Sequence, residues 1–431
     1  MLRGFLGRVG ALGPSFQALL LSDTLTLAAG MVGHVALAWW IAQQGGGADL
    51  ALYAAIVAIG ALVFLPLLSP FGDRYCKRSV MTVGLAGLVV VAIGLAALVQ
   101  SGAYSLPLII GLDLVGAAAG SLAAPASASI VAEMLPADKL TAGLGLQKSG
   151  QALGRLIGPT LGGGVLAFSG TASALWLYVL LLMVAYVLTL RIPKNPVSRA
   201  ATTGASAWLA DIRAGLAAKW HIKVERWWTL VTFLFAIFLL PCIGMLLPMK
   251  IQSLHLSGAW LGLCEAALSA GMLLGALGLS ARLADRIGRF AIYTAAIVGM
   301  GLCFAAVGAA DYPPVLLAAF AVCGLCISTT QLVGQTHRML AIPPSFRARM
   351  TSVHIMVMQV AASIGPALGG IGLAKLGIDR VYILFGGAIL VTGIGYVIAP
   401  GYRAFIGLSH DGVTGYYGRT YPKLFEPRET S

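Results

Sequence analysis

Apolar residues fill this chain in runs of roughly twenty, separated by short polar punctuation, from one end to the other. At a rise of about 1.5 Å per residue, such a run crosses a hydrocarbon layer about 30 Å thick as a helix. Twelve runs are predicted to do so, at about 15–43, 48–70, 79–100, 104–127, 139–167, 171–192, 227–249, 258–281, 290–309, 313–337, 349–373 and 380–400. The pattern predicts an all-α membrane protein. The first run is too long for a signal-peptide core and no small-residue cleavage site follows it, so it reads as the first spanning helix.

Composition agrees. Charged residues make up only 10% of the 431 and the mean hydropathy is +0.90, against about 25% charged residues in a soluble domain. With both termini placed in the cytoplasm, the basic residues gather on that side. Only Lys250, Lys375 and Arg380 fall outside, and Lys148 and Arg155 lie within a helix. The positive-inside rule demands this bias. The net charge of +13 therefore reports topology and contact with an anionic inner leaflet, and it gives no ground for a nucleic-acid partner.

Two internal repeats divide the chain. FGDRYCKRSV (71–80) follows the second run, and LADRIGRFAI (283–292) sets Asp285 and Arg286 in the same arrangement 212 residues after Asp73 and Arg74. GRLIGPTLGG (154–163) in the fifth run returns as ASIGPALGG (362–370) in the eleventh, offset by 207. Nearly equal offsets in two independent features point to a duplicated six-helix unit. The predicted domains are a first half (1–192), a polar linker (193–226), a second half (227–400) and a cytoplasmic tail (401–431). Within the linker, Trp208, Ile212, Leu216 and Trp220 recur every four residues, with Asp211, Arg213, Lys219 and Lys223 elsewhere on the wheel. This is an amphipathic helix suited to the cytoplasmic interface. The tail, polar and rich in Tyr and Gly, is expected to be partly disordered.

Twelve helices in two repeats, with an Asp-Arg loop after the second and eighth, resemble the major facilitator superfamily. Its loop pattern is G-x-L-A-D-R-x-G-R-[RK]. ARLADRIGRF (281–290) is similar to it at Leu283, Ala284, Asp285, Arg286, Gly288 and Arg289. SPFGDRYCKR (69–78) keeps Asp73, Arg74, Lys77 and Arg78 but has Ser69 and Cys76 where the pattern has glycine. The resemblance implies transport by alternating access, these loops acting as latches, and a monomer that needs no cofactor or metal. The fifth-run segment resembles the family's antiporter pattern G-x-x-x-G-P-x-x-G-G at Gly154, Gly158, Pro159, Gly162 and Gly163, which implies export. Shorter stretches, ALAWW (36–40) and DIRAGLAAK (211–219) among them, resemble the drug and siderophore exporter branch typified by the enterobactin exporter.

Ionisable groups at membrane depth each need a reason, because a charge at the bilayer centre costs about 2.5–3.5 kcal/mol on insertion scales. Asp23, Asp113 and Glu265 are candidate proton carriers. His34, Lys148, Arg155 and the amides Gln331 and Gln359 are candidate substrate contacts, with Gln335 beside them and His354 nearer the cytoplasmic end. Matching depths predict Asp23–Lys148 and Asp113–Arg155 pairs, structural or functional. Two basic residues in the first half favour a solute with an acidic group.

The chain lacks HExxH, GxSxG and Asp-rich patterns, which argues against an enzyme, and it has no GxxxxGK[ST] for an ATP-driven pump. Cys323 and Cys326 form a CGLC pair inside an apolar helix without other ligands, where small packing residues are expected. The expected activity is export of a siderophore-like or amphiphilic organic solute across a bacterial-type inner membrane, coupled to protons. Import of an organic anion or metal chelate by proton symport, and a non-transporting sensor, remain open.

Overall fold

A computed structural model describes residues 12–193, 205–343 and 346–425. Every element in it is a helix. Hydrocarbon offers backbone N–H and C=O groups no water, and a helix satisfies them within its own segment. Ten helical stretches are long and apolar enough to span. Two of these, 55 and 48 residues long, exceed one crossing and are broken at Gly46 (φ +70°) and Gly170 (φ +81°). Each break divides its stretch into two spans, which gives twelve crossings among the described residues.

We number the helices α1 (14–45), α2 (47–74), α3 Lys77–Gln100, α4 Leu106–Met134, α5 (137–169), α6 (171–189), α7 Ala205–His221 and α8 Lys223–Gly244. After the short α9 Leu246–Ser253 come α10 Gly258–Ile287, α11 Arg289–Ala309, α12 Pro313–Ala341, α13 Arg347–Leu376 and α14 Ile378–Ile398. Helix α10 is π-wound at Gly275–Leu279 and α12 at Gln331–Gln335.

The chain divides into two compact units. One comprises Met1–Thr202 with Ile251–Ala266, the other Thr203–Lys250 with Ala267–Ser431. In the first unit, α1 and α5 run parallel along a stripe of glycines. A Cβ at Gly150 would stand 2.7 Å from Leu20 and Thr24, and one at Gly158 would stand 2.6 Å from Ala28 O and Met31. Gly154 meets Thr24 O, and Gly162 lies against Val32. Four glycines at four-residue spacing thus bring one backbone onto another over about 18 Å. Gly163 meets the backbone of Gly262 in the part of α10 that belongs to this unit. The second unit repeats the arrangement: Gly365 approaches Ile237 O at 2.6 Å, and Gly369 packs on Pro241 and Met245, so α13 lies on α8 as α5 lies on α1.

Much of the tail is ordered, and residues 426–431 lie outside the described residues. Residues 402–425 fold into short helices on the second unit, burying Tyr402, Phe405, Ile406, Val413 and Tyr417. Gly415 N donates to Leu340 O (2.9 Å), and the Phe425 ring meets Phe346 edge-on, centroids 4.9 Å apart. Aromatic rings spaced among glycines look like low-complexity tail in sequence, but here they supply the apolar area that orders it.

The α1–α5 stripe yields a direct test. Gly158→Leu drives a branched side chain into Ala28 and Met31, an overpacking that costs about 1–3 kcal/mol or more. Gly164, beside the stripe, faces open space. Heating the purified protein in detergent should cost Gly158→Leu its monodispersity well below the wild-type temperature, while Gly164→Leu tracks wild type. Coincident curves would show that the stripe does not set the helix spacing.

Candidate functional site

Two carboxylates in the first unit sit where several helices converge. Asp23 of α1, 8% exposed, accepts from Ser127 Oγ of α4 and from Gln147 Nε2 of α5, both at 2.6 Å. Gln147 Nε2 also donates to Ser127 O at 3.1 Å. Asp113 of α4 accepts from the Tyr53 hydroxyl of α2 at 2.6 Å, and His34 of α1 and Tyr178 of α6 lie within electrostatic reach. Gly33 makes room for the Tyr178 ring, which a Cβ there would meet at 3.0 Å.

Neither predicted ion pair forms. Lys148 interacts with Asp23 only through its charge, and its Nζ donates to Gln151 Oε1 at 3.2 Å. Asp113 binds a phenol, and no described residue forms an ion pair or hydrogen bond with Arg155. Depth along the membrane does not fix direction around a helix. One residue advances an α-helix by about 100°, so when Gln147 points at Asp23, Lys148 points elsewhere. Lys148, Gln151 and Arg155 fall at i, i+3 and i+7, on one face beside the glycine stripe, and Lys148 and Arg155 are exposed, as is His34. Charges facing lipid at this depth would be costly.

Glu265 is half-buried on α10, one turn beyond Gly262. Sequence halves assign it to the second repeat, whereas the structure places it in the first unit. Among the described residues nothing bonds its carboxylate. Gln331 and Gln335 are exposed on the π-wound segment of α12, a winding that commonly marks functional positions. Gln359 is half-buried on α13, and His354, one turn and a half before it, is buried with its ring 5.1 Å from that of Trp228.

The Asp-Arg loops anchor differently. The side chains of Asp73 and Arg74 lie outside the described residues. Lys77 pairs with Glu133 at 2.6 Å in the last turn of α4, and Arg78 Nη2 donates to Leu190 O at 2.8 Å at the end of α6. Both place a cation against a helix C-terminus. In the second copy Asp285 and Arg286 are exposed, whereas Arg289 Nη1 donates to Leu408 O of the tail at 2.5 Å. Gly288 adopts φ +91°, which glycine alone takes readily. Cys76, in the corresponding place, has φ −55°, so the first turn never needed its missing glycine.

Sequence reasoning missed a buried cluster at the linker end of the second unit. Glu225, fully buried at the start of α8, accepts from Arg338 Nε at 2.7 Å, from Lys219 Nζ at 3.1 Å and from the Tyr417 hydroxyl at 3.2 Å. Lys219, expected on the polar face of the linker helix, is 2% exposed and also donates to Thr229 at 3.0 Å. The two cations flank Trp228, at 4.8 Å for Arg338 and 5.7 Å for Lys219 from the ring centroid. At the other end of this unit, buried Lys250 donates to Asp379 at 2.6 Å and Asp311 at 3.5 Å. A lysine closing an apolar run and an aspartate opening one were the only signals for that pair.

Burial pushes the Lys219 ammonium down to about 8, the Glu225 carboxylate opposing the shift and Arg338 adding to it. Between that value and the ordinary lysine range the unfolded chain holds a proton that the folded one has released, so stability rises with pH across this interval. Thermal unfolding of wild type, referenced to Lys219→Met, should gain from pH 8 to 10; a flat difference would refute the shift. Glu225→Gln, which leaves two cations facing each other, should be the far more damaging change, with removal of one partner from a buried pair costing about 3–5 kcal/mol.

No curated protein matches the chain. Its fold is similar to that of several solved transporters. A mutant of the nucleoside transporter NupG superposes with a TM-score of 0.73 at 14% identity, over 91% of this chain and 99% of that one. A mutant of the peptide transporter POT gives 0.68 at 15%, covering 90% and 95%. A bacterial homologue of the human lysosomal transporter Spinster, inward-facing and unoccupied, gives 0.65 at 15%, covering 97% and 100%. The family model for the Major Facilitator Superfamily matches residues 19–313 and 279–404. With that match over nearly the whole of a multi-pass helical chain, the protein belongs to the Major Facilitator Superfamily and is a membrane transporter.

Proposed function

We propose that the protein exports a small organic solute with an anionic group, siderophore-like or amphiphilic, across a bacterial-type inner membrane in exchange for protons. The observation that carries this reading is the separation of acids from bases in the first unit. Asp23 and Asp113 hold neutral donors, Ser127, Gln147 and Tyr53, so each can take up a proton without breaking an ion pair. Lys148 and Arg155 stand on an accessible face with no carboxylate among the described residues bonded to them, which leaves them for a carboxylate or catecholate of the solute.

Coupling follows from the Asp113 site. A proton on Asp113 removes the anionic partner of His34 and turns one carboxyl oxygen into a donor, so the Tyr53 hydroxyl must rearrange. Tyr53 belongs to α2 and Asp113 to α4, hence protonation changes what ties these helices together. The α5 glycines and Pro159 support outward traffic, being the pattern that resembles antiporters. Glu265, half-buried and near the close Gly163–Gly262 contact, is a third proton site in this scheme, and Gln331 and Gln359 would hold neutral polar parts of the solute.

Cells with and without the protein, grown under iron limitation, would be compared for small molecules in the medium. Export predicts an acidic chelator or amphiphile that accumulates outside only when the protein is present; depletion of a medium component instead would establish import. With that solute in proteoliposomes, Asp113→Asn should abolish solute-driven proton movement yet keep solute exchange. Arg155→Gln should raise KM about tenfold, the loss of one charge-assisted hydrogen bond, and Arg155→Lys should restore most of it. Proton coupling at the wild-type rate in Asp113→Asn would sink the coupling scheme.

A further inference from the structure

The second unit contains a groove unrelated to the transport residues. Helix α7 lies across the ends of α8 and α13, and its closest approach is at Gly215, where a Cβ would stand 2.7 Å from Arg349 O. Next to this contact the three helices enclose a cavity of about 260 Å³, lined by Leu216 and Trp220 of α7, Arg226 and Phe233 of α8, and Val357 and Val360 of α13, among others.

The lining is graded. At the α7 end stand Trp220 and Arg226, the guanidinium 5.6 Å from the indole centroid. From there Arg226, Thr229, Leu230 and Phe233 descend α8, while Val353, Val357 and Val360 descend α13. Seven residues of helix give about 10 Å of depth. The residues that line it thus run from an indole and a guanidinium at one end to phenylalanine and valine at the other, and the surface they expose is apolar, which fits a lipid chain and not a water-soluble solute. Leu216 and Trp220 remain 51% and 56% exposed, so the groove is open along the apolar face of the linker helix.

Charge selects the head group. Lys219, which is part of the groove's lining, and Arg338 are buried with a single described carboxylate, Glu225, which leaves one positive charge uncompensated among the three. Arg226 at the lip, with Lys223 and Arg213 exposed nearby, adds to it. No acidic residue lines the groove. We infer that this groove holds one acyl chain of an anionic phospholipid, its head group on the Trp220–Arg226 lip, and that the lipid fastens the linker helix to the second unit. Long basic side chains over apolar surface and an indole at the interface suit such a ligand.

Native mass spectrometry of the full-length protein tests this, using detergent micelles containing equal amounts of phosphatidylglycerol and phosphatidylcholine of matched chains. Wild type should retain one phosphatidylglycerol about fivefold in excess of phosphatidylcholine, the factor expected from about one basic residue at a membrane surface. Arg226→Glu should equalise the two lipids. Val357→Trp, which fills the groove, should abolish retention of both, with elution on size exclusion reporting its folding. Should that variant aggregate, Val360→Trp fills the same groove a turn deeper. Equal retention of the two lipids by wild type would overturn the anionic assignment. Undiminished retention by a folded groove-filling variant would place the lipid elsewhere and overturn the site.

Discussion

Close approach of α5 to α1 is the constraint on which the first unit depends. In a bilayer, lipid tails are as apolar as leucine, so apolar burial gives little reason for two helices to associate. Association then comes from dispersion and close fit, which weaken steeply with distance. Gly150, Gly154, Gly158 and Gly162 supply that fit by omitting side chains where α1 passes. Once the contact is made, the other positions of α5 have fixed directions. Gln147 reaches Asp23, while Lys148 and Arg155 turn to an accessible face. The polar chemistry of this unit follows from an apolar packing rule.

The two units treat buried charge differently. In the first, carboxylates meet hydroxyls and an amide, partners that serve both the charged and the protonated form. In the second, Glu225 and Lys250 are fully buried in ion clusters near the ends of the helices. Breaking one partner of such a cluster is expensive and the cluster as a whole adds little to stability, so its use is to fix geometry. Glu225 gathers α7, α8, α12 and the tail through three donors. Carboxylates with neutral partners thus sit in one unit, and rigid ionic ties sit in the other.

Much of this architecture was legible in the sequence because hydropathy and repeat offsets are one-dimensional signals. The twelve runs appear at nearly the predicted bounds, and Gly158 and Gly365, 207 residues apart, make equivalent contacts on α1 and α8. Directions around helices were not legible. Asp23 and Lys148 share a depth but differ in azimuth, and Lys219 looked solvent-facing on a wheel until α12 brought Arg338 and α8 brought Glu225 beside it. The order of residues 402–425 was hidden for a related reason: a Tyr-Gly stretch carries no periodicity, yet Tyr402 and Tyr417 fill space that only the assembled helices create.

The duplicated loops show how two copies of one sequence pattern diverge once their neighbours differ. Lys77 and Arg289 are equivalent by the 212-residue offset. Lys77 meets the end of a spanning helix within its own unit, whereas Arg289 is taken up by Leu408 of the tail, which also receives His337 of α12 at 2.9 Å. A carbonyl has two lone pairs, and Leu408 uses them on two basic side chains from different helices. The tail thereby supplies for the second copy the acceptor that a helix terminus supplies for the first. A loop pattern that occurs twice is thus held by the bundle itself in one copy and by the tail in the other. Any change that frees the tail would act on the second loop alone.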